Sequence, residues 1–423
     1  MRILLVGGTG FIGGHLLAAL QVAGHSLVAT SRSGTGPRLP GVTWQSLDLA
    51  ELAKNPGALT WPADTELLIN AAGVLDNDPQ RLSQIQDAGT RVLFDHAAQR
   101  GVPVLQLSAL GAGDHPDVPF LSSKAAADRY LLGLGIPALI LRPSLVVGEG
   151  GASSQWLARL STLPLAPLLN NQAQVQPLHI TDLVGAVMAL LRDWPENPQV
   201  VPLVGPEPMT MAGLVDHLRL AQGRPSGRYV PLPTPVSSLA ARLGDRLGWR
   251  ALNRQTLTLA RRDNLGDGGH LERLCGYRVA PIASRLGSWP QQPAVVAEVL
   301  RPLMLAALVI IWLGTAFVCL GPGYDWGLRI LGEAGITGPV AGLLVRGGGA
   351  FDALLGVGLL IRRWRTAALA AQLALMLGYT MIITMILPHY WLDPFAAVGK
   401  NLVLMVATLW LLWTEPSRGA TRR

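Results

Sequence analysis

Apolar positions along the chain follow two regimes. Up to about Pro143, short continuous apolar runs (RILLVG, HSLVATS, ELLINAA, VPVLQLSA, PALILRPSLVV) alternate with stretches such as FIGGHLLAALQVAG and RLSQIQDAGTRVLFDHAAQRG. The runs lack the in-out alternation of a half-exposed strand, as expected where a parallel sheet is covered on both faces. The stretches between them carry apolar residues at helical spacing. Regular alternation of the two predicts a doubly wound α/β domain with a parallel sheet. From Gly148 to Leu220 the pattern loosens, with a helix expected over DLVGAVMALLRDW and a late strand over VVPLVG. This stretch is read as a small substrate lobe. Ala221 to Pro290 is arginine-rich and irregular, and is expected to be a helical or loop extension.

After Val295 the second regime begins. Four apolar runs cover Pro302 to Leu320, Pro339 to Ile361, Thr366 to Leu387, and about Ala396 to Trp413. A membrane helix needs about 20 residues, within a range of roughly 17 to 25. Four spans are the simplest reading, the last of them short. The chain is therefore divided into a nucleotide-domain-like region with its lobe (1–220), an extension and linker (221–295), a four-helix membrane bundle (296–415) and a basic tail (416–423).

Composition supports the membrane assignment. Half the 423 residues are apolar and 14% are charged, against about 25% in soluble domains. The formal charge of +7 is accompanied by no zinc-finger, helix-turn-helix or RNA-binding motif, so nucleic acid is not an expected partner. Basic residues instead mark cytoplasmic loops. Arg301 precedes the first run, Arg362, Arg363 and Arg365 separate the second and third, and Arg418, Arg422 and Arg423 follow the fourth. The other connections hold Asp325, Arg329, Glu333, His389 and Asp393. Both termini are thus placed in the cytoplasm, in a bacterial-type inner membrane. The apolar start of MRILLVGGTGFIGG is too short for a secretion signal and is read as a strand. Cys275 and Cys319 make neither a disulfide framework nor a metal site, and no metal-ligand cluster stands out.

The strand-turn-helix at the N-terminus carries Gly7, Gly10 and Gly13, with Thr9, Phe11 and Ile12 between them. Gly7 suits the tight turn, Gly10 the approach of a pyrophosphate and Gly13 close helix packing, with phosphates at the helix N-terminus. Where an acidic residue would take the ribose diol of NAD, the chain offers Ser31, Arg32 and Ser33. A guanidinium there can pair with a 2′-phosphate, so NADP(H) is preferred over NAD(H), unless Arg32 is solvated or stacks on adenine.

With Asp48 and Leu49 after the third strand, Asn70 to Gly73 after the fourth, Ser108, Lys124, and Arg142-Pro143-Ser144, the first 215 or so residues resemble an extended or atypical short-chain dehydrogenase/reductase with a Rossmann domain. The resemblance implies that Asp48 and Leu49 contact adenine, that Ala71, Ala72 and Gly73 line the cofactor, and that Lys124 holds the nicotinamide ribose. It also implies a catalytic serine at Ser108 and a proton-donating tyrosine at a position that here reads Phe120. A phenyl ring has no proton to give. Tyr130 is expected to point elsewhere. Only three of the 34 basic residues are lysines, so lysine at 124 suits a ribose diol better than chance composition would, although most lysines are simply exposed.

Three functions follow: hydride transfer to an acceptor such as a quinone or flavin; an NADPH-binding sensor or accessory subunit of a membrane complex, as in atypical relatives of the complex I accessory type; or a small-molecule reductase or epimerase whose acid the motifs do not identify. Residues 296–415 resemble a DoxX-like membrane domain, carried by WLDPFAAVGKNLVL and the polar interruptions of the second run. Lipid, quinone and membrane proteins are therefore the expected partners besides the dinucleotide. Arg346, Asp352 and Lys400 are ionisable within the runs. Asp352, with Lys400 and His389 or Asp393, is read as a quinone or proton site, against interhelical pairing and snorkelling. His179 and Asp182 are expected to sit at a helix start, with Thr181 or Asp182 as its cap.

Overall fold

The computed structural model describes residues 1–76, 78–169, 172–247, 253–287, 289, 292–394 and 396–415. It divides into two compact units, Met1–Val295 and Val296–Arg423. Arg418, Arg422 and Arg423, counted above toward the basic tail, lie outside the described residues.

In the first unit seven strands form one sheet: β1 (Arg2–Val6), β2 (Ser26–Ser31), β3 (Val42–Ser46), β4 (Leu67–Asn70), β5 (Val104–Leu107), β6 (Ala138–Pro143) and β7 (Gln199–Leu203). Their order is β7-β6-β5-β4-β1-β2-β3, with every neighbour parallel. Alternation along β1 sends Ile3 and Leu5 to one face, against α1 (Phe11–Val22), and Leu4 and Val6 to the other. The opposite face packs on Leu93 and Phe94 of a helix Gly89–Ala98 and on Ala127 and Leu131 of a helix Pro119–Gly133, here α3 and α4 after the short α2 (Leu49–Lys54). Both faces are covered, which is why the central strands are mostly apolar, with the buried Asn70 of β4 donating to Gln106 of β5 at 2.8 Å. The expected late strand is β7, the partner of β6 at the sheet edge.

The helix expected over DLVGAVMALLRDW is α5 (Ile180–Arg192), which joins α1 against the first face. Its cap is His179, whose ring accepts from the Thr181 N–H at 3.3 Å, rather than Thr181 or Asp182. Asp182 is instead fully buried, accepting from Arg285 at 2.7 Å and from the Tyr277 hydroxyl at 3.1 Å. Through that anchor the residues after 220 fold back on the unit. They hold a strand (Arg228–Pro231) and the helices α6 (Thr234–Leu247), Arg254–Ala260, His270–Cys275 and Ile282–Leu286. Arg262 pairs with Asp117 at 2.6 Å, and Gln255 donates to the Asp76 carbonyl at 2.8 Å.

The second unit contains α7 (Gln292–Leu320) from Val296 onward, α8 (Gly338–Leu360), α9 (Arg365–Ile386) and α10 (Gly399–Trp413). All four contribute to one apolar core that includes Leu308, Trp312, Leu355, Leu359, Leu369 and Leu411. Among the described residues, three stretches are long and apolar enough to cross a membrane, Val295–Leu320, Gly338–Leu360 and Arg365–Ile386. The fourth run is shorter than its apolar sequence: Ala396 adopts φ of 50°, outside helical geometry, so α10 starts at Gly399 and has 15 residues. At one end of the unit, Arg301 and Arg365 converge on Glu415, the latter at 3.5 Å.

Candidate functional site

The chain leaves β1 for β2 on one side while β4 lies on the other, so the sheet reverses between β1 and β4. Ligands of open α/β sheets bind at such a reversal, beyond the carboxyl ends of the strands. Val6 pairs with Asn70 there, and the turns that follow meet. Gly7 has φ of 83°, and a Cβ on it would stand 2.9 Å from the Ala72 nitrogen. A Cβ on Gly13 would stand 2.1 Å from the Gly7 carbonyl oxygen, so α1 packs directly on the turn.

Gly10 is the cap of α1, without a side-chain hydrogen bond to the first-turn N–H groups. Those donors, at the positive end of the helix dipole and beside a turn stripped of side chains, fit a pyrophosphate. Thr9, Gly10 and Phe11 also line a cavity of about 340 Å³ with Gly14, His15, Glu149 and Gly150. The last four were not singled out in the sequence. His15 reaches the Glu149 carbonyl at 3.2 Å, which ties α1 to the segment after β6. Ile12 and Gly13 face the core instead.

At the end of β2, Ser31 is buried and bonds the Thr35 backbone, donating to its carbonyl at 2.8 Å and accepting from its N–H at 3.0 Å. It shapes the turn, and Arg32 stands exposed beyond it. Asp48 caps α2 by accepting from the Ala50 N–H at 2.9 Å, and Leu49 is buried in the core.

Below Ala71, Ala72 and Gly73 lies Lys124, 3% exposed, its ammonium donating to the carbonyls of Ala72 (3.1 Å) and Leu107 (2.8 Å). It bridges the ends of β4 and β5, and a surface role is excluded by its burial. Burial lowers its pKa to about 8, with the nearby Asp128 acting in the other direction.

Asp128, one helical turn on from Lys124, is a further residue that sequence reasoning missed. It is fully buried and accepts from the Ser108 hydroxyl at 2.7 Å and from Arg142 at 3.0 and 3.1 Å, all on one oxygen. Its other oxygen has no partner among the described residues. Burial raises the Asp128 pKa, against the hydrogen bonds from Ser108 and Arg142. Ser108 and Lys124 therefore do converge, but the serine hydroxyl is engaged. Phe120 is half-buried one turn before Lys124 on α4. Tyr130 turns away and donates to Asp95 at 2.6 Å.

In the second unit, Asp352 is 6% exposed and one of its oxygens has no partner among the described residues. The neighbouring helix α9 buries Gln372, whose carbonyl oxygen likewise has no partner among the described residues. Arg346 lies over the Tyr324 ring at 5.0 Å, Lys400 is exposed, and His389 approaches Glu333 at 3.4 Å. Of the ionisable residues singled out in the apolar runs, Asp352 is the buried one.

Residues 3–201 match the NAD dependent epimerase/dehydratase family, and residues 307–409 match the DoxX-like family. The chain is 25% identical over 197 residues to the ceramide reductase of Caulobacter vibrioides, covering 45% of this chain and 61% of that one. It is 29% identical over 140 residues to the mitochondrial NADH dehydrogenase (ubiquinone) 1 alpha subcomplex subunit 9 of Arabidopsis thaliana, covering 32% and 35%. To the 3-diazoavenalumate denitrifying reductase of a Streptomyces species it is 26% identical over 281 residues, covering 59% and 88%. The chain thus spans less than two thirds of the length of the first two of these relatives. In fold it is similar to a nucleoside-diphosphate-sugar epimerase of Staphylococcus aureus (TM-score 0.54, 17% identity, 68% of this chain and 99% of that one). The UDP-glucose 4-epimerase of Thermotoga maritima is comparable (TM-score 0.52, 17% identity, 68% and 97%).

Proposed function

For a chain that joins an NAD-dependent epimerase/dehydratase-type, short-chain-dehydrogenase-like domain to a DoxX-like membrane domain, we propose a membrane-anchored NAD(P)H oxidoreductase that passes reducing equivalents to a lipid-soluble acceptor, a quinone. The observation that carries this reading is the pairing of Phe120 with an engaged Ser108. Where a carbonyl reductase of this fold type presents a tyrosine acid and a serine that orients the substrate, this site offers a phenyl ring and a hydroxyl held by Asp128. An acceptor that draws its proton from elsewhere fits such a site.

The bound dinucleotide would supply a hydride. A quinone would take that hydride and one proton, drawn from solvent by way of Asp352, to become quinol and leave oxidised dinucleotide, so two electrons and two protons balance. The glycine turn and the first turn of α1 would hold the pyrophosphate, and the exposed Arg32 favours NADP(H) through the 2′-phosphate. Lys124 would hold the nicotinamide ribose with the ammonium hydrogen left over from its two carbonyl bonds. In the membrane unit, Asp352 is a buried carboxyl able to hold a proton near a quinone head group. Four spans, with both termini on the cytoplasmic side, would bring the dinucleotide from the compartment that holds it. A ceramide reductase among the relatives is in line with a lipid substrate class.

The engaged serine also favours a second reading, a nucleotide-binding accessory subunit of a membrane complex, in line with the complex I relative. The two separate in lipid nanodiscs that contain a soluble-tail quinone analogue, with quinol quantified. The oxidoreductase reading expects quinol formation that Asp352→Asn lowers at least tenfold in kcat while the Kd for NADPH is unchanged. Tight NADPH binding with no quinol from the parent chain would leave the accessory reading.

A further inference from the structure

A surface helix normally turns its apolar stripe inward. Helix α6 does the reverse. Ser237, Ala241 and Gly244 face the unit and are buried, while Val236, Leu239 and Leu243 stand outward at 51%, 60% and 45% exposure. These three are spaced three and four apart, so they form one stripe along the helix. Arg242 and Arg246 are exposed and flank that stripe along one margin. The helix's one acidic residue, Asp245, is paired with Arg254, and neither Arg242 nor Arg246 is in an ion pair among the described residues.

The charge of the whole chain points the same way. Residues 221–295 hold eleven arginines and no lysine against three aspartates and one glutamate, which equals the chain's entire formal excess of +7. The rest of the protein is formally neutral. The excess lies in the segment between the sheet and α7, whose apolar stretch is long enough to cross a membrane.

We propose that α6 is an in-plane membrane anchor, with Val236, Leu239 and Leu243 entering the interface of an anionic phospholipid leaflet and Arg242 and Arg246 bound to its headgroups. An apolar stripe edged by arginine matches a boundary between acyl chains and negatively charged headgroups, and each basic residue close to such a surface strengthens attachment by roughly fivefold. A protein partner would match the stripe but would not require the concentration of arginine. The contact orients the nucleotide unit on the membrane and rests on the membrane reading of the second unit, which resistance of the full chain to alkaline extraction tests separately.

The test uses the full chain in nanodiscs, in a Cys275→Ser and Cys319→Ser background, with one cysteine at a time introduced as Leu239→Cys, Leu243→Cys or, as an exposed control on the sheet domain, Val22→Cys. Each is labelled with an environment-sensitive fluorophore, and retained NADPH binding shows that the unit is folded. Probes at 239 and 243 are expected to shift to the blue and to be quenched by lipid-borne nitroxides in phosphatidylglycerol discs, less so in phosphatidylcholine discs or after Arg242→Glu with Arg246→Glu. The probe at 22 should do neither. Probes quenched by aqueous iodide in both lipids would overturn the proposal. So would probes shielded from iodide without nitroxide quenching, which would show that protein covers the helix. Should labelling at 239 or 243 impair folding, Val236→Cys reads the same stripe.

Discussion

Two carbonyl oxygens and a nearby carboxylate compensate only part of the cost of keeping the Lys124 ammonium out of water, and its pKa of about 8 expresses the remainder. Below pH 8 the folded and unfolded chains both carry the proton, and the folded state bears the full desolvation cost. Between pH 8 and the ordinary lysine range the folded chain has released a proton that the unfolded chain keeps, so stability rises with pH across that window. Lys124→Met should abolish the rise, a difference of up to about 3 kcal/mol across the window. Melting temperatures of the detergent-solubilised parent and variant between pH 7 and 10 check this, and parallel curves would contradict it. The sequence made the lysine conspicuous because lysine is rare in this chain. It did not mark Asp128, since an acid in AAADRY at helical spacing reads as solvated. Only the crossing of β6 over α4 shows that Arg142 covers it.

The elements that read best were those with one clear constraint. Strands covered on both faces are mostly apolar, whereas the edge strand β3, VTWQS, is half-exposed and left no continuous apolar run. The fourth run was expected and short, and only its start differs: apolarity extends back to Ala396, but the backbone there turns out of helical geometry and α10 starts at Gly399. The extension after 220 was illegible because its order comes from distant partners, Asp182 above all, rather than from its own periodicity. In α1 local and tertiary demands coincide at Gly13, which is why its glycine could be assigned a role from spacing alone. Gly13→Ala would drive a methyl into the Gly7 carbonyl. It is expected to weaken NADPH binding at least tenfold in a fluorescence titration, with the seven-stranded sheet retained by circular dichroism. Binding within twofold of the parent would separate the turn from the nucleotide.

For the molecule as a whole, the two units answer to different solvents. One builds a dinucleotide crevice at the reversal of a parallel sheet, and the other packs apolar helices around a core that admits a buried carboxylate. Their covalent union has a simple chemical sense if electrons from a water-soluble donor are to reach an acceptor dissolved in lipid. Neither unit's sequence states an acceptor, because small-molecule sites are built from shape and a few polar groups rather than from a spaced motif. The measurement that bears most directly on this account is loss of NADPH absorbance by the full chain in nanodiscs, with and without a quinone, after binding is verified. The account predicts oxidation that requires the quinone. Saturable NADPH binding with no oxidation in its presence would contradict it.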